Sequence, residues 1–450
     1  MLTAEDNETL TRTGAGTPMG DVFRHYWMPA LLSRELPSPD CPPVRIRLLG
    51  EDFVAFRDTA GKVGIVAPRC PHRGADLFFG RNEECGLRCV YHGWKFDAQG
   101  RCVDVPNVEP NVAERLKPRA TIRALATAEA GEVVWAHFGH GVAAEGIPGV
   151  PDFEFAAVPP ENRFVGKKLQ QCNWAQACEG GLDTAHFSYL HAGVAYGRKA
   201  ALHEAGRSPA TPAERNGEPP RLARLRWLVE DGAPRFSVLG HDAGLLLCAA
   251  RHADDDCLYW RMTQFLMPNH SLTPGNFPED LALANTWVPI DDTSCWIFCY
   301  AWHPDRPISA KERQRLAAGS GIFAEADEHF VPIRRRENDY LIDRELQKTE
   351  SYSGIVGISE QDQAIADSQG PIADRTRELL CQTDLGVVRF RDMALQAARD
   401  VGAGKIPLGS DDPGAYRVRS GDAVASADTA VEAVVRQRFG ARYGGRGVAS

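Results

Sequence analysis

Apolar and polar positions alternate in short runs along the first third of the chain. Val44-Arg-Ile46-Arg-Leu48, residues 52–56 and Val63–Val66 place hydrophobic side chains at a period of two between Gly or Asp turns, and residues 131–138 close the segment with a similar run. This predicts a small antiparallel β domain. Ahead of it, Thr3 followed by Glu5 and Asp6 has the form of a capped helix start, and a Gly/Pro-containing turn over 14–20 leads into the aromatic stretch His25-Tyr26-Trp27.

From about Pro151 the pattern lengthens. Residues 222–228, 235–239, 245–250, 258–265 and 296–302 read as strands, and Ala310–Ala317, 325–338 and 375–399 read as helices. A chain of 450 residues exceeds what one hydrophobic core usually supports, so two domains are expected, 1–150 and an α+β unit over 151–450. Residues 204–221, rich in Pro, Gly, Ala and charge, read as a long surface loop, either a solvated spacer or a pocket lid. Residues 402–450 read as partly disordered apart from a short helix near Val431–Phe439.

Composition narrows the class. An apolar fraction of 43%, 25% charge and a net charge of −9 describe an ordinary globular protein with no basic run, which argues against nucleic acid or an anionic membrane as partner. The twelve Cys suggest no disulfide framework, the N-terminus lacks the basic start and apolar stretch of a signal peptide, and no run approaches a membrane span. A reducing cytoplasm is the expected location. Without a Gly-x-Gly-x2-Gly opening a helix after a strand, neither NAD nor FMN is expected to bind directly.

The chemistry concentrates in two places. Cys70-Pro-His72-Arg73-Gly74 is followed, with sixteen residues between His72 and Cys89, by Cys89-Val-Tyr-His92-Gly93-Trp94. Two thiolates and two imidazoles in matched halves suit a Rieske [2Fe-2S] cluster, in which two Cys hold one iron and two His the other, raising the reduction potential. A structural zinc site uses the same donor types. Zinc modules, however, pair Cys with Cys and His with His in sequence, whereas each half here mixes one of each and is trailed by a glycine.

The second place is Asn173-Trp174-Ala-Gln176-Ala-Cys178-Glu179-Gly180-Gly181-Leu-Asp183-Thr-Ala-His186-Phe-Ser-Tyr-Leu-His191. Asn173 and Gln176 have capping-box spacing, so a helix starts there, with Asp183 and His186 on one face. His191 lies about 140° further round an ideal helix, so both rings reach one ion only if the helix unwinds near Ser188. Two His and one carboxylate with open positions form the facial triad of a non-haem Fe(II) site that activates O2. A lone His pair beside a solvated Asp is an ordinary occurrence, but a motif for delivering electrons about ninety residues upstream requires a destination.

On these motifs the chain resembles the oxygenase component of the aromatic-ring-hydroxylating oxygenases, in their phthalate-dioxygenase-like branch, from Leu2-Thr3 through Ala398. It is less similar to respiratory Rieske proteins, whose ligand loops each carry an extra Cys where Ala75 and Tyr91 stand here. The resemblance implies an α+β fold: an N-terminal antiparallel β Rieske domain and a C-terminal helix-grip, START-like catalytic domain with an antiparallel sheet. It implies a [2Fe-2S] cluster on Cys70, His72, Cys89 and His92, and a mononuclear Fe(II) on His186, His191 and a carboxylate from a downstream acidic segment. There Glu360-Gln361-Asp362-Gln363 precedes Ser368-Gln369-Gly370-Pro371, and Asp362 is chosen over Glu360 and Asp367.

The resemblance further implies that Asp183 bridges His186 to His92 of the partner subunit in a homotrimer or dimer of trimers, a sensible place for a carboxylate that orients two ligand imidazoles. Trp94 would shield the cluster, and Arg73 and Lys95 would either dock an acidic reductase or remain solvated charges. The partners implied are O2, a small aromatic substrate and a separate reductase through which NAD(P)H acts indirectly. The pocket is expected along residues 257–268. Residues 244–251 are apolar except for Arg251, where phthalate-type members use Arg, which argues against a dicarboxylate. An aromatic monoacid, an aryl ether or an N-alkyl aromatic remain open, and with them ring dihydroxylation, monooxygenation or dealkylation. A plain electron carrier would leave the 300 residues after position 150 without a role, and a zinc-stabilised binding protein would hold no iron.

Overall fold

Ile46 and Leu48 turn inward while Arg45 and Arg47 face solvent, so the alternation at Val44–Leu48 is that of an edge strand. In the computed structural model, which describes residues 1–139, 146–193, 220–275 and 280–440, this strand ends a six-stranded antiparallel sheet. Its members are β1 (Met28–Leu32), β2 (Val44–Leu48), β3 (Glu51–Arg57), β4 (Val63–Val66), β9 (Ala124–Ala130) and β10 (Val133–His137), in the order β1-β10-β9-β4-β3-β2. Between β4 and β9 a four-stranded sheet is inserted, β5 (Arg81–Glu83), β6 (Gly86–Arg88), β7 (Lys95–Phe96) and β8 (Cys102–Asp104). The two Cys/His loops precede β5 and β7.

The second half is built on a larger antiparallel sheet. Its strands are β11 (Arg163–Gln170), β12 (Arg235–His241), β13 (Gly244–His252), β14 (Cys257–Leu266), β15 (His270–Thr273), β16 (Ala282–Asp291), β17 (Ser294–Trp302) and β18 (Gly421–Ser426). The order is β11-β17-β16-β15-β14-β13-β12, with β18 pairing β14 where β15 stops. The helices are α1 (Ala4–Thr11), α2 (Pro18–Phe23), α3 (Pro110–Leu116), α4 (Glu154–Ala157), α5 (Trp174–Leu182), α6 (Pro220–Glu230), α7 (Ala310–Ala317), α8 (Arg344–Thr349), α9 (Ile358–Ser368), α10 (Leu385–Gly402) and α11 (Val431–Phe439). None among the described residues is long and apolar enough to cross a membrane.

Packing joins these parts in a way the chain order hides. Phe390 on α10 is fully buried and meets Trp174 of α5 (ring centroids 5.9 Å apart) and Phe265 of β14 (5.0 Å), while Phe23 of α2 meets Trp174 at 4.9 Å. Leu10, Met19, Val22 and Phe23 thus share one apolar cluster with the second half. The β domain keeps a core of its own, in which Val54, Phe56, Leu87, Trp94 and Phe96 surround Cys70 and Cys89. The β2–β3 turn is hooked onto β16 by Leu49 N–H to Pro289 carbonyl at 3.0 Å and Gly50 N–H to Ile290 carbonyl at 2.8 Å.

Four sequence expectations are corrected. Residues 222–228 are helical, within α6, where Arg226 pairs with Glu230 one turn on at 2.9 Å. Residues 325–338 are irregular: Pro332 interrupts them, Asp327 folds its carboxylate onto the N–H groups of His329 and Val331, and a 3₁₀ turn begins only at Arg336. The helix expected over 375–399 starts at Leu385, because Arg375 lies in a turn, ion-paired with Glu179 at 2.9 Å. Residues 402–440 are ordered, with β18 completing the sheet and α11 packing Val434, Val435 and Phe439 on its outer face. The loop expected over 204–221 falls, up to residue 219, outside the described residues, as do 441–450.

Candidate functional site

The two Cys/His loops are folded alike. Cys70 N–H donates to the Ala75 carbonyl at 2.9 Å and Gly74 N–H to the Cys70 carbonyl at 2.9 Å; in the other loop Cys89 N–H donates to Trp94 at 2.8 Å and Gly93 N–H to Cys89 at 2.9 Å. Both turns close through a glycine in the left-handed region, Gly74 at φ +75° and Gly93 at φ +80°, where a β-carbon would be strained. The loops thereby present Cys70 and Cys89 buried at their base and His72 and His92 further out, with ring centroids 4.4 Å apart. Trp94 stacks flat on His72 (4.7 Å, 5°) and donates its N–H to Asn107 at 2.9 Å.

These residues fit a binuclear cluster better than one zinc ion. A tetrahedral ion with bonds of about 2.0–2.3 Å would draw all four donor atoms within about 4 Å of one another. Here the two thiols lie against each other and the two rings meet edge-on, a thiol pair and an imidazole pair, while the described residues whose donors converge within 4.8 Å as a trio lie elsewhere. Burial, with Cys89 alongside, pushes the Cys70 thiol up to about 11. His72 Nδ1 is buried without a hydrogen-bond partner, as a nitrogen reserved for a metal would be.

The converging trio is His186, His191 and Asp362. Asn173 caps α5 by accepting from Ala175 N–H at 3.0 Å, and Gln176, instead of completing a capping box, reaches the Ala366 and Gly370 carbonyls at 2.9 and 2.8 Å. The helix ends earlier than expected, at Asp183, whose extended backbone and Ala185 N–H bond at 2.6 Å start a separate 3₁₀ turn, Ala185–Ser188. That break, ahead of Ser188, brings both rings round: His186 Nε2 and His191 Nε2 are 3.0 Å apart, and Asp362 Oδ1 lies 3.5 and 3.2 Å from them. Three donors on one face of an octahedron with bonds of about 2.1 Å are separated by about 3 Å, so the trio has the spacing of a facial triad.

Asp183 stands outside this trio. Its Oδ2 is 3.3 Å from His186 Nδ1, the nitrogen facing away from the convergence point. Burial raises the Asp183 carboxyl, but His186 and the Ala185 N–H outweigh it and hold the group below its ordinary value; burial likewise depresses His186, yet Asp183 and Asp362 hold it above. The other acids of the segment face elsewhere. Glu360 accepts from Glu325 N–H at 3.4 Å, and Asp367 accepts from Gln170 at 2.6 Å and from the Tyr340 hydroxyl.

Lys95, singled out from sequence as a docking or solvated charge, occupies another position than expected. Lys95 is buried against Glu84 at 3.1 Å, so it cannot dock a partner, whereas Arg73 is exposed over the Tyr91 ring. Arg251, fully buried, donates to the Thr184 carbonyl at 2.6 Å and the Asp231 carbonyl at 3.2 Å, bracing the turn beside Asp183. Strand β14 reaches the site through Arg261, whose guanidinium lies 4.8 Å from the Phe187 ring, itself 5.0 Å from His191. Sequence reasoning missed Gln361, which accepts from His191 Nδ1–H at 2.7 Å; its adjacency to Asp362 was the available signal.

Comparison with known proteins shows the family. Residues 26–125 match the Rieske [2Fe-2S] domain, and residues 143–432 match the LigXa C-terminal domain-like family. The chain is 38% identical to the 3-chlorobenzoate-3,4-dioxygenase oxygenase subunit of Comamonas testosteroni, over 92% of this chain and 93% of the relative. It is 36% identical to the phthalate 4,5-dioxygenase oxygenase subunit of Pseudomonas putida (95% and 93%), and 40% identical to the 5,5'-dehydrodivanillate O-demethylase oxygenase subunit of a Sphingobium species (90% and 83%). An N-terminal β domain with paired Cys/His loops, joined to an α+β domain that gathers two His and one Asp, makes this chain a member of the Rieske non-haem iron oxygenases, related to their phthalate- and chlorobenzoate-dioxygenase oxygenase subunits.

Proposed function

We propose that the chain is the terminal oxygenase of a multicomponent system that hydroxylates a small aromatic substrate, by ring dihydroxylation or monooxygenation. Cys70 and Cys89 hold one iron of the cluster, His72 and His92 the other, and His186, His191 and Asp362 hold the mononuclear iron. When bound, the cluster supplies single electrons and the mononuclear iron supplies O2 activation. The observation that carries this reading is the approach of His186 Nε2, His191 Nε2 and Asp362 Oδ1 to within 3.5 Å of one another. His191 anchors the site from the interior at 1% exposure, while His186 (18%) and Asp362 (39%) leave one side approachable by substrate and dioxygen.

Electrons come from a separate reductase that draws on NAD(P)H, and Arg73 at the loop tip is placed to meet an acidic face of it. Asp183 holds His186 and passes to His92 of the partner subunit in a homotrimer or dimer of trimers. Apolar side chains exposed at both ends of that contact support it: Val90 and Tyr91 beside His92, and Tyr189 and Tyr352 near His186 and His191.

The relatives named above act on 3-chlorobenzoate and phthalate, which supports an aromatic acid here. With Arg251 committed to backbone carbonyls, a monoacid fits better than a dicarboxylate. The O-demethylase relative favours a second reading, oxidative dealkylation of an aryl ether on the same iron, since the carbon nearest the site is the one oxidised. Incubating the holoenzyme and a surrogate reductase with aromatic acids, aryl ethers and N-alkyl aromatics decides between them. A new ring hydroxyl with the alkyl group retained identifies the first reading, and loss of the alkyl group as an aldehyde (formaldehyde from a methyl) the second, whereas no product and no O2 uptake with any of them contradicts both.

A further inference from the structure

The two imidazoles that converge on the site are braced differently. His186 turns its Nδ1 to a carboxylate, Asp183 Oδ2, at 3.3 Å. His191 turns its Nδ1 to an amide, Gln361 Oε1, at 2.7 Å. The amide's orientation is fixed by its other end, because Gln361 Nε2 donates to the Ile355 carbonyl at 2.8 Å and a carbonyl only accepts. Oε1 must therefore be the end facing His191, and His191 Nδ1 must carry the hydrogen. In the neutral ring its Nε2 is then left with a bare lone pair, pointing toward His186 Nε2 and Asp362 Oδ1.

We propose that Gln361 is a positioning residue for the mononuclear site, locking His191 in its Nδ1–H tautomer and in the ring orientation that ligation needs. Both partners are buried, Gln361 completely and His191 to 1% exposure, so water does not compete for the bond. Gln361 precedes Asp362 on α9, so one turn of helix delivers a ligand carboxylate and the brace for a ligand imidazole. A shift of α9 therefore moves two of the three donors together. Because an amide is neutral, His191 receives less electron density than His186 does from Asp183, and the two imidazoles are inequivalent donors.

The proposal rests on the assignment of His191 as a ligand, and its test separates the two. In metal-free full-length protein, 15N spectra of labelled histidine, with His191 assigned by its loss in His191→Ala, report the tautomer with no metal present. The expected result is an Nδ1–H imidazole for His191, turning into a mixture or the Nε2–H form in Gln361→Leu. In parallel, titration of the metal-free site with Co(II) is expected to weaken about 10–100-fold in Gln361→Leu. Gln361→Glu keeps an acceptor toward His191 and is expected to restore the tautomer, and it serves as the working variant should Gln361→Leu fail to fold. An Nε2–H form in the wild-type protein, or an unchanged tautomer in Gln361→Leu, overturns the proposal. A tautomer shift with no change in Co(II) affinity overturns the ligand role of His191 instead.

Discussion

At the scale of single residues, the site depends on which nitrogen or oxygen each side chain offers. Asp183 faces the outward nitrogen of His186, so in the proposed site it orients a ligand without being one. Asp183→Ala is expected to retain iron and the cluster's visible absorption while coupled product formation falls about tenfold or more; unchanged coupled turnover would contradict the bridging role. The Cys/His residues were legible because their spacing is itself the chemical signal. The choice of Asp362 over Glu360 and Asp367 rested on the resemblance alone, since all three sit on one helix and successive residues turn by about 100°. Only packing reveals that Glu360 faces Glu325, Asp367 faces Tyr340 and Gln170, and Asp362 faces the two imidazoles. Gln361 was marked only by its adjacency to Asp362, as its partner lies 170 positions away in the chain.

At the scale of elements, α10 ties the molecule together through Phe390, which is fully buried between α5 and β14. Phe390→Ala is expected to destabilise the protein by about 3–5 kcal/mol, read from urea unfolding, and a loss under about 1 kcal/mol would contradict this packing account. Strands were the elements best read from sequence, because a half-buried strand such as Val44–Leu48 displays its period directly. Pro332 and the Arg226–Glu230 pair were overlooked local signals. The end of α5 at Asp183 was only partly legible: an unwinding was required for both His to meet, but its position is set by the Asp183 carboxylate capturing Ala185 N–H.

At the scale of the whole molecule, pairings across long sequence distances decide the architecture. β18 joins β14 and the N-terminal helices join α10, contacts that no local pattern announces. Burial also gives the fold an acid sensitivity. It pushes His241 down to about 4 and His270 to about 3, so both stay neutral in the folded chain where an unfolded imidazole, near 6.5, takes up a proton. The unfolded state then binds more protons below about pH 6.5, and stability falls as pH drops from there toward pH 4, by about 1 kcal/mol per pH unit for each group. Urea midpoints at pH 7.5 and 5.5 are expected to show this fall, and equal midpoints would contradict it.

The central claim, a cluster in the β domain serving a separate mononuclear site, is tested most directly by counting iron and acid-labile sulfide in the isolated protein. The account predicts about three irons and two sulfides per chain, with His186→Ala losing about one iron and keeping both sulfides. Zinc in place of iron, an absence of sulfide, or an unchanged iron count in His186→Ala would contradict it.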